Sequence, residues 1–177
     1  KITEAISKVC KELCQPFIRY ERAIDNFSNA FLIEKFSDFK KYDLNNKSIL
    51  LALGVRHLKE AYSFARESGA NVYARVLANP ESIKKTLSSH IPKKNFAVLN
   101  PSVSSDGKIE KALVRRWNID GVVCRQSGGK NEISWHRICL SMGINLWLLK
   151  RPLKFKHINS VDSYEKLIKR LKSIGME

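Results

Sequence analysis

The sequence predicts an α/β protein: a doubly wound parallel sheet of about five strands with helices on both faces. Two observations carry this expectation. From Ser48 onward, short apolar runs alternate with amphipathic helical patterns, and parallel neighbours need such right-handed crossovers. The fullest unit spans Asp120 to Pro152. There Val122, Val123 and Cys124 suit a strand buried on both faces, and Ser127, Gly128 and Gly129 follow as a turn. Trp135, Ile138, Cys139 and Met142 then share one helical face, Gly143 closes the helix, and Ile144 to Leu149 supply the next strand.

Taken in order, Ile2 to Cys14 reads as an amphipathic helix with Ile2, Ala5, Ile6, Val9 and Leu13 on its apolar stripe, stopped by Gln15-Pro16. Phe17 to Arg22 alternates as a strand, with Arg19 and Tyr20 on opposite faces. Residues 23–43 read as a connector. Asp25-Asn26 and Ser28-Asn29 are turn chemistry around the short apolar piece Phe31 to Ile33, and a helix is expected near Glu34 to Tyr42. Strand Ile49 to Leu53 leads through Gly54 to a helix with Leu58, Ala61, Tyr62 and Ala65 inward, ended by Ser68-Gly69. Strand Asn71 to Leu77 precedes a helix opened by Asn79 as cap and Pro80 at its first position. Strand Phe96 to Leu99 runs into Asn100-Pro101 and the polar Ser102 to Gly107, after which Ile109, Ala112 and Leu113 face inward on a helix. After the Asp120 to Pro152 unit, a last helix carries Tyr164, Leu167, Ile168 and Leu171 on one stripe. The alternation is that of a Rossmann-like or flavodoxin-like sheet.

Composition narrows the function. Of 177 residues, 44% are hydrophobic and 28% charged, as in an ordinary globular protein. No apolar run approaches the roughly 18 residues of a membrane span, and Lys1 to Cys14 is no secretory segment. Lys+Arg exceed Asp+Glu by 32 to 17, a net charge of +15, which favours an anionic partner or a solvated basic surface. The lysines are scattered in pairs (Lys40-Lys41, Lys84-Lys85, Lys93-Lys94), and this scattering weighs against nucleic acid. The four cysteines sit at apolar positions, with no CxxC pair and no histidine at ligand spacing, so no metal site is expected. Without a secretion signal they suit a reducing cytosol, and a cytoplasmic location is expected.

Ligand loops of such a sheet lie at strand carboxyl ends, here Gly54-Val55-Arg56-His57, Leu77 to Pro80, Asn100-Pro101-Ser102 and Gln126-Ser127-Gly128-Gly129. Glycine in two of them lets a phosphate approach the backbone, with Arg56 beside one. The alternative is that Gly54 and Gly128-Gly129 are tight turns and nothing more, and spacing does not separate the two. No GxGxxG follows a strand and no P-loop lysine pattern occurs.

The string Cys124-Arg-Gln-Ser-Gly-Gly129, a helix, Gly143-Ile144 and Arg151-Pro152 together resemble the Lys-Asp/Asn-Ser-Gly-Gly…Leu-Gly-Ile…Arg-Pro pattern of the precorrin-6A (cobalt-precorrin-6A) reductases. Four further stretches agree in order and spacing across nearly the whole chain. Arg19-Tyr20-Glu21-Arg22 is similar to that family's Arg-Tyr-Glu-Arg strand, and Gly54-Val55-Arg56-His57-Leu58 to its Gly-Arg-x-x-Leu loop. Arg75-Val76-Leu77 with Pro80 is similar to Arg-Val-Leu-Pro-x-Pro, and Asn100-Pro101 with Glu110 to Gly-Pro-Phe followed by a helix that begins with Glu. Each motif alone is weak, and together they are fairly specific.

The resemblance implies an NADPH-dependent oxidoreductase of cobalamin biosynthesis that reduces one double bond of the precorrin-6A macrocycle, in a family of two facing Rossmann-like halves. By that analogy residues 1–22 end a truncated N-terminal half, missing here and counted as a partner of the chain. Residues 23–43 connect, and 44–177 form the C-terminal domain. A fragment of this kind need not be active alone. The resemblance assigns Gly54, Arg56, Asn100, Pro101, Gln126, Ser127, Gly128 and Gly129 to the cofactor. It assigns Arg19, Tyr20, Arg22 and Arg75 to the polycarboxylate tetrapyrrole, a polyanion that guanidinium groups would orient. It names no catalytic side chain, since hydride transfer is the cofactor's chemistry. The chain departs from the family pattern at Arg125 and Gln126, which stand where a lysine and an acid are expected, at Trp135, where a helix lysine is expected, and at Val55 in place of an arginine. These departures keep a second reading open, a divergent non-catalytic anion- or nucleic-acid-binding domain on the same fold.

Overall fold

The computed structural model describes residues 2–24, 27, 29–100, 107–152 and 159–175. In chain order the elements are α1 (Ile2–Glu12), β1 (Arg19–Tyr20), β2 (Ala30–Ile33), β3 (Ser48–Leu51), α2 (Leu58–Glu67), β4 (Asn71–Val76), α3 (Pro80–Leu87), β5 (Phe96–Val98), α4 (Lys108–Arg116), β6 (Gly121–Arg125), α5 (Lys130–Met142), β7 (Asn145–Leu149), β8 (Ser160–Val161) and α6 (Tyr164–Ser173). They group into two compact units, Asn26–Arg151 and a second made of Lys1–Asp25 with Pro152–Glu177.

The larger unit is built on a six-stranded sheet in the order β2-β7-β6-β3-β4-β5, every described pairing parallel. The chain enters at the edge on β2, crosses to the centre on β3, winds outward through β4 to β5, then returns to the other side of β3 for β6 and β7. Alternate side chains of each strand feed two cores. Ile49, Leu51, Val72, Ala74, Val76, Val123 and Trp147 pack with Leu58, Ala61 and Ala65 of α2. Leu50, Val122, Cys124, Leu146 and Leu148 pack on the opposite face with Val114 of α4 and Trp135, Ile138 and Cys139 of α5. The expected doubly wound parallel sheet with helices on both faces is the observed one. Local chemistry also acts as expected: the Asn79 side chain accepts the Ser82 N–H at 2.8 Å and Pro80 occupies the first turn of α3.

Three local differences have physical causes. The piece Phe31 to Ile33, read as part of a connector, belongs to a sixth strand. Four residues flanked by turn chemistry carry little strand signal, and β2 exists because β7 offers a free edge in the register Ala30↔Leu146 to Ile33↔Leu149. The helix expected near Glu34 to Tyr42 is a 3-10 turn, Phe36–Lys41. Helix α4 is rotated from its expected face: Ile109 is 46% exposed, while Glu110 and Val114 are buried. Two contacts with β4 turn it. Arg75 draws Glu110 inward to 3.6 Å, and Tyr73 stacks on Trp117 with centroids 5.0 Å apart.

In the smaller unit β1 pairs with β8 in parallel, Arg19↔Ser160 and Tyr20↔Val161. This pairing groups α6 with the N-terminal segment rather than with the six-stranded sheet. The expected stripe of α1 exists, but Ile2, Ile6, Val9 and Leu13 are all exposed. No helix of the described residues is long and apolar enough to cross a membrane.

Candidate functional site

The strand order makes a crevice at one place. β3 and β6 are neighbours, with Leu51 opposite Val123, yet the helices that follow them leave to opposite faces, α2 into one core and α5 into the other. Loops diverging from adjacent parallel strands open a groove at the sheet's carboxyl edge, and ligands of open α/β sheets bind at such switch points. The two glycine loops singled out in the sequence, Gly54 to His57 and Gln126 to Gly129, follow these two adjacent strands and so flank the switch point.

On the β3 side the turn is closed by His57 N–H to the Gly54 carbonyl at 3.1 Å, with Arg56 exposed and Val55 packed on the core. Gly54 is exposed and its φ is ordinary, and a Cβ built on it would meet nothing within 4 Å. Neither conformation nor packing requires glycine there. The space a Cβ would fill is open, which leaves room for a phosphate to approach the backbone, so the residues present fit a nucleotide.

On the β6 side the backbone is held from three directions. The Gln126 N–H donates to the Leu149 carbonyl at 2.9 Å, and the Gln126 side chain, buried, accepts the Arg151 N–H at 3.2 Å. Ser127 and Gly128 donate their N–H groups to one oxygen of Glu132, the latter at 2.7 Å. Gly128 has φ +61°, which a side chain would strain, whereas Gly129 is extended and begins α5 with no side-chain cap. Gln126 therefore ties the loops after β6 and β7 together, a use for the residue that stands where the family pattern has an acid. Two thiols, Cys124 and Cys139, are buried. Burial, and secondarily Glu132, holds Cys124 well above the usual thiol range, and burial pushes Cys139 up to about 12.

Of the other candidates, Arg75 lies on β4 beside β3 with its side chain mostly enclosed and engaged by Glu110. Asn100 is exposed beyond β5, and Pro101 lies outside the described residues. Arg19, Tyr20 and Arg22 belong to the smaller unit. There Arg19 is bound by Glu21, Nη2 at 2.8 Å and Nε at 2.9 Å from one carboxylate oxygen, and by the Thr3 hydroxyl, while Tyr20 and Arg22 are exposed. Among the described residues no cluster of His, Cys, Asp or Glu could hold a metal ion.

Residues 1–172 match the family model described as precorrin-6x reductase CbiJ/CobK. The chain belongs to this family. It is 28% identical over 158 residues to the cobalt-precorrin-6A reductase of Synechocystis sp., covering 86% of this chain and 59% of that one. With the cobalt-precorrin-6A reductase of Methanococcus maripaludis the identity is 28% over 168 residues, 90% of this chain and 64% of the other. The chain thus spans about three fifths of the length of these relatives. A solved structure titled CobK precorrin-6A reductase superposes with a TM-score of 0.74 at 16% identity, over 99% of this chain and 67% of that one, and so shares the fold. Within this CbiJ/CobK framework the sequence pointed to the glycines of both loops, but not to Glu132 beneath one of them. A signal was present: an acid at the third helical position after a glycine turn reaches back to the N–H groups before the helix.

Proposed function

We propose that the chain takes part in the NADPH-dependent reduction of a precorrin-6A or cobalt-precorrin-6A macrocycle, a step of cobalamin biosynthesis. The observation that carries this reading is the open space over Gly54 at the switch point of a CbiJ/CobK-family sheet. The groove between Gly54-Arg56 and Gln126-Gly129 would hold the nucleotide, with the start of α5 and the Arg56 charge facing its phosphates. NADPH, when bound, supplies the hydride, so the chain's own groups orient and neutralise rather than attack. On the substrate side the reading uses Arg19, Tyr20, Arg22 and Arg75. Glu21 fixes the Arg19 guanidinium in direction through two hydrogen bonds, and Glu110 lies 3.6 Å from that of Arg75, which suits recognition of carboxylate arms. Asn100 and Pro101 extend the cofactor side of the reading beyond β5. The relatives named above are reductases, which leaves the non-catalytic alternative without support. Four free cysteines fit a reducing, cytoplasmic setting.

Calorimetric titration of the folded protein with NADPH and NADH tests the reading. Saturable binding of NADPH is expected, and a folded protein that binds neither nucleotide would sink it. Gly54→Val sharpens the test, because the fold has room for the side chain and a phosphate over the loop does not. It should weaken NADPH binding by about tenfold or more while leaving the unfolding temperature nearly unchanged. Unaltered affinity would remove the β3 loop from the site.

A further inference from the structure

Glu132 is the most enclosed acidic side chain among the described residues, 1% exposed, on the first turn of α5. One carboxylate oxygen accepts the N–H groups of both Ser127 and Gly128, and the other, Oε1, is buried with no hydrogen-bond partner. A buried carboxylate is costly unless hydrogen-bonded, and here two peptide N–H groups satisfy one oxygen while the start of a helix favours the charge. The consequence concerns the loop's direction. The Ser127 and Gly128 N–H groups point inward at Glu132, not outward at the groove. A phosphate at this edge would instead meet the N–H groups that a helix start leaves without intrahelical acceptors, those of Gly129, Lys130 and Asn131.

We propose that Glu132 is the positioning residue of the nucleotide loop: by holding two N–H groups from beneath, its carboxylate fixes the left-handed Gly128 turn and aims the start of α5 into the groove. This inference rests on the reading of that groove as a nucleotide site. It assigns the two inward N–H groups to the protein's own carboxylate and leaves phosphate recognition to the next three residues.

Three proteins test it: the parent, Glu132→Ala and Glu132→Gln. Each is measured for NADPH affinity well below its unfolding temperature and for amide exchange at Ser127 and Gly128. Glutamine keeps an acceptor at the same reach, and alanine does not. Alanine should weaken NADPH binding by about tenfold or more and speed exchange of both amides by a similar factor, and glutamine should stay within about threefold of the parent on both. A merely structural role would lower the unfolding temperature without moving affinity. NADPH binding by the alanine variant as tight as the parent's overturns the proposal, as does glutamine failing like alanine. If alanine does not fold, Glu132→Asp replaces it: its carboxylate is one methylene short, so weakened binding in a folded protein supports the role and unchanged binding overturns it. If the parent binds no nucleotide, the reading of the groove fails while amide exchange still decides the positioning role. Unchanged protection of Ser127 and Gly128 in the variants then overturns that role as well.

Discussion

Asp38 holds together the turn that leads from the edge strand toward the central one. Its Oδ1 pairs with Lys41 Nζ at 2.8 Å, and its Oδ2 accepts the N–H groups of Glu34 at 2.9 Å and Lys35 at 3.2 Å. The Lys41 contact, then the two backbone N–H groups, hold its carboxyl at about 2, below the ordinary 3.8. Because the folded value is the lower one, the stabilisation is fully present above pH 3.8 and is lost as the pH falls toward 2. Asp38→Asn should therefore lower the unfolding temperature at neutral pH and flatten its decline across that acid window. Melts at a series of pH values check this, and an unchanged acid limb would contradict it. The sequence showed none of this, since Asp38 lies in a stretch read as connector. Its role depends on the backbone N–H groups of Glu34 and Lys35 being brought to one oxygen.

At the scale of elements, β2 and α4 show where periodicity runs short. Strand β2 buries Ile33 against Phe36, Phe39 and Trp147 while leaving Phe31 and Leu32 largely exposed. Only one of its four residues is fully in the core, so no alternation marks it in the sequence. Ile33→Ala should cost about 2–5 kcal/mol, as a cavity under an edge strand. Urea unfolding measures the loss, and a cost near zero would mean that β2 contributes nothing to the fold. Helix α4 carries apolar residues on more than one face, and a choice among them needs the partner surface. The mostly enclosed Arg75 makes that choice by drawing in Glu110. Where one stripe dominates, as on α2 and α5, most of the expected residues are buried, Leu58, Ala61 and Ala65, and Trp135, Ile138 and Cys139, while Tyr62 and Met142 are half-buried.

At the scale of the whole molecule, a net charge of +15 favours any anionic ligand at long range. If the groove binds NADPH through phosphate contacts, raising the salt from about 50 to 500 mM should weaken the nucleotide several-fold by screening. The effect should be far smaller than the collapse expected of a nucleic-acid site with many phosphate contacts. Titrations at both salts check it, and salt-independent affinity would count against phosphate recognition. The sequence by itself determined the alternation of strands and helices, the glycine loops at strand ends and the family pattern, because these are local features whose chemistry acts within a few residues. Tertiary structure decided the rest. The strand order set β3 beside β6 and so turned two separate glycine loops into one groove. The free edge of β7 made β2 a strand. Burial of the first turn of α5 put the Glu132 carboxylate under Ser127 and Gly128. Each of these depends on a partner distant in sequence or on enclosure from water, and neither is written in local periodicity.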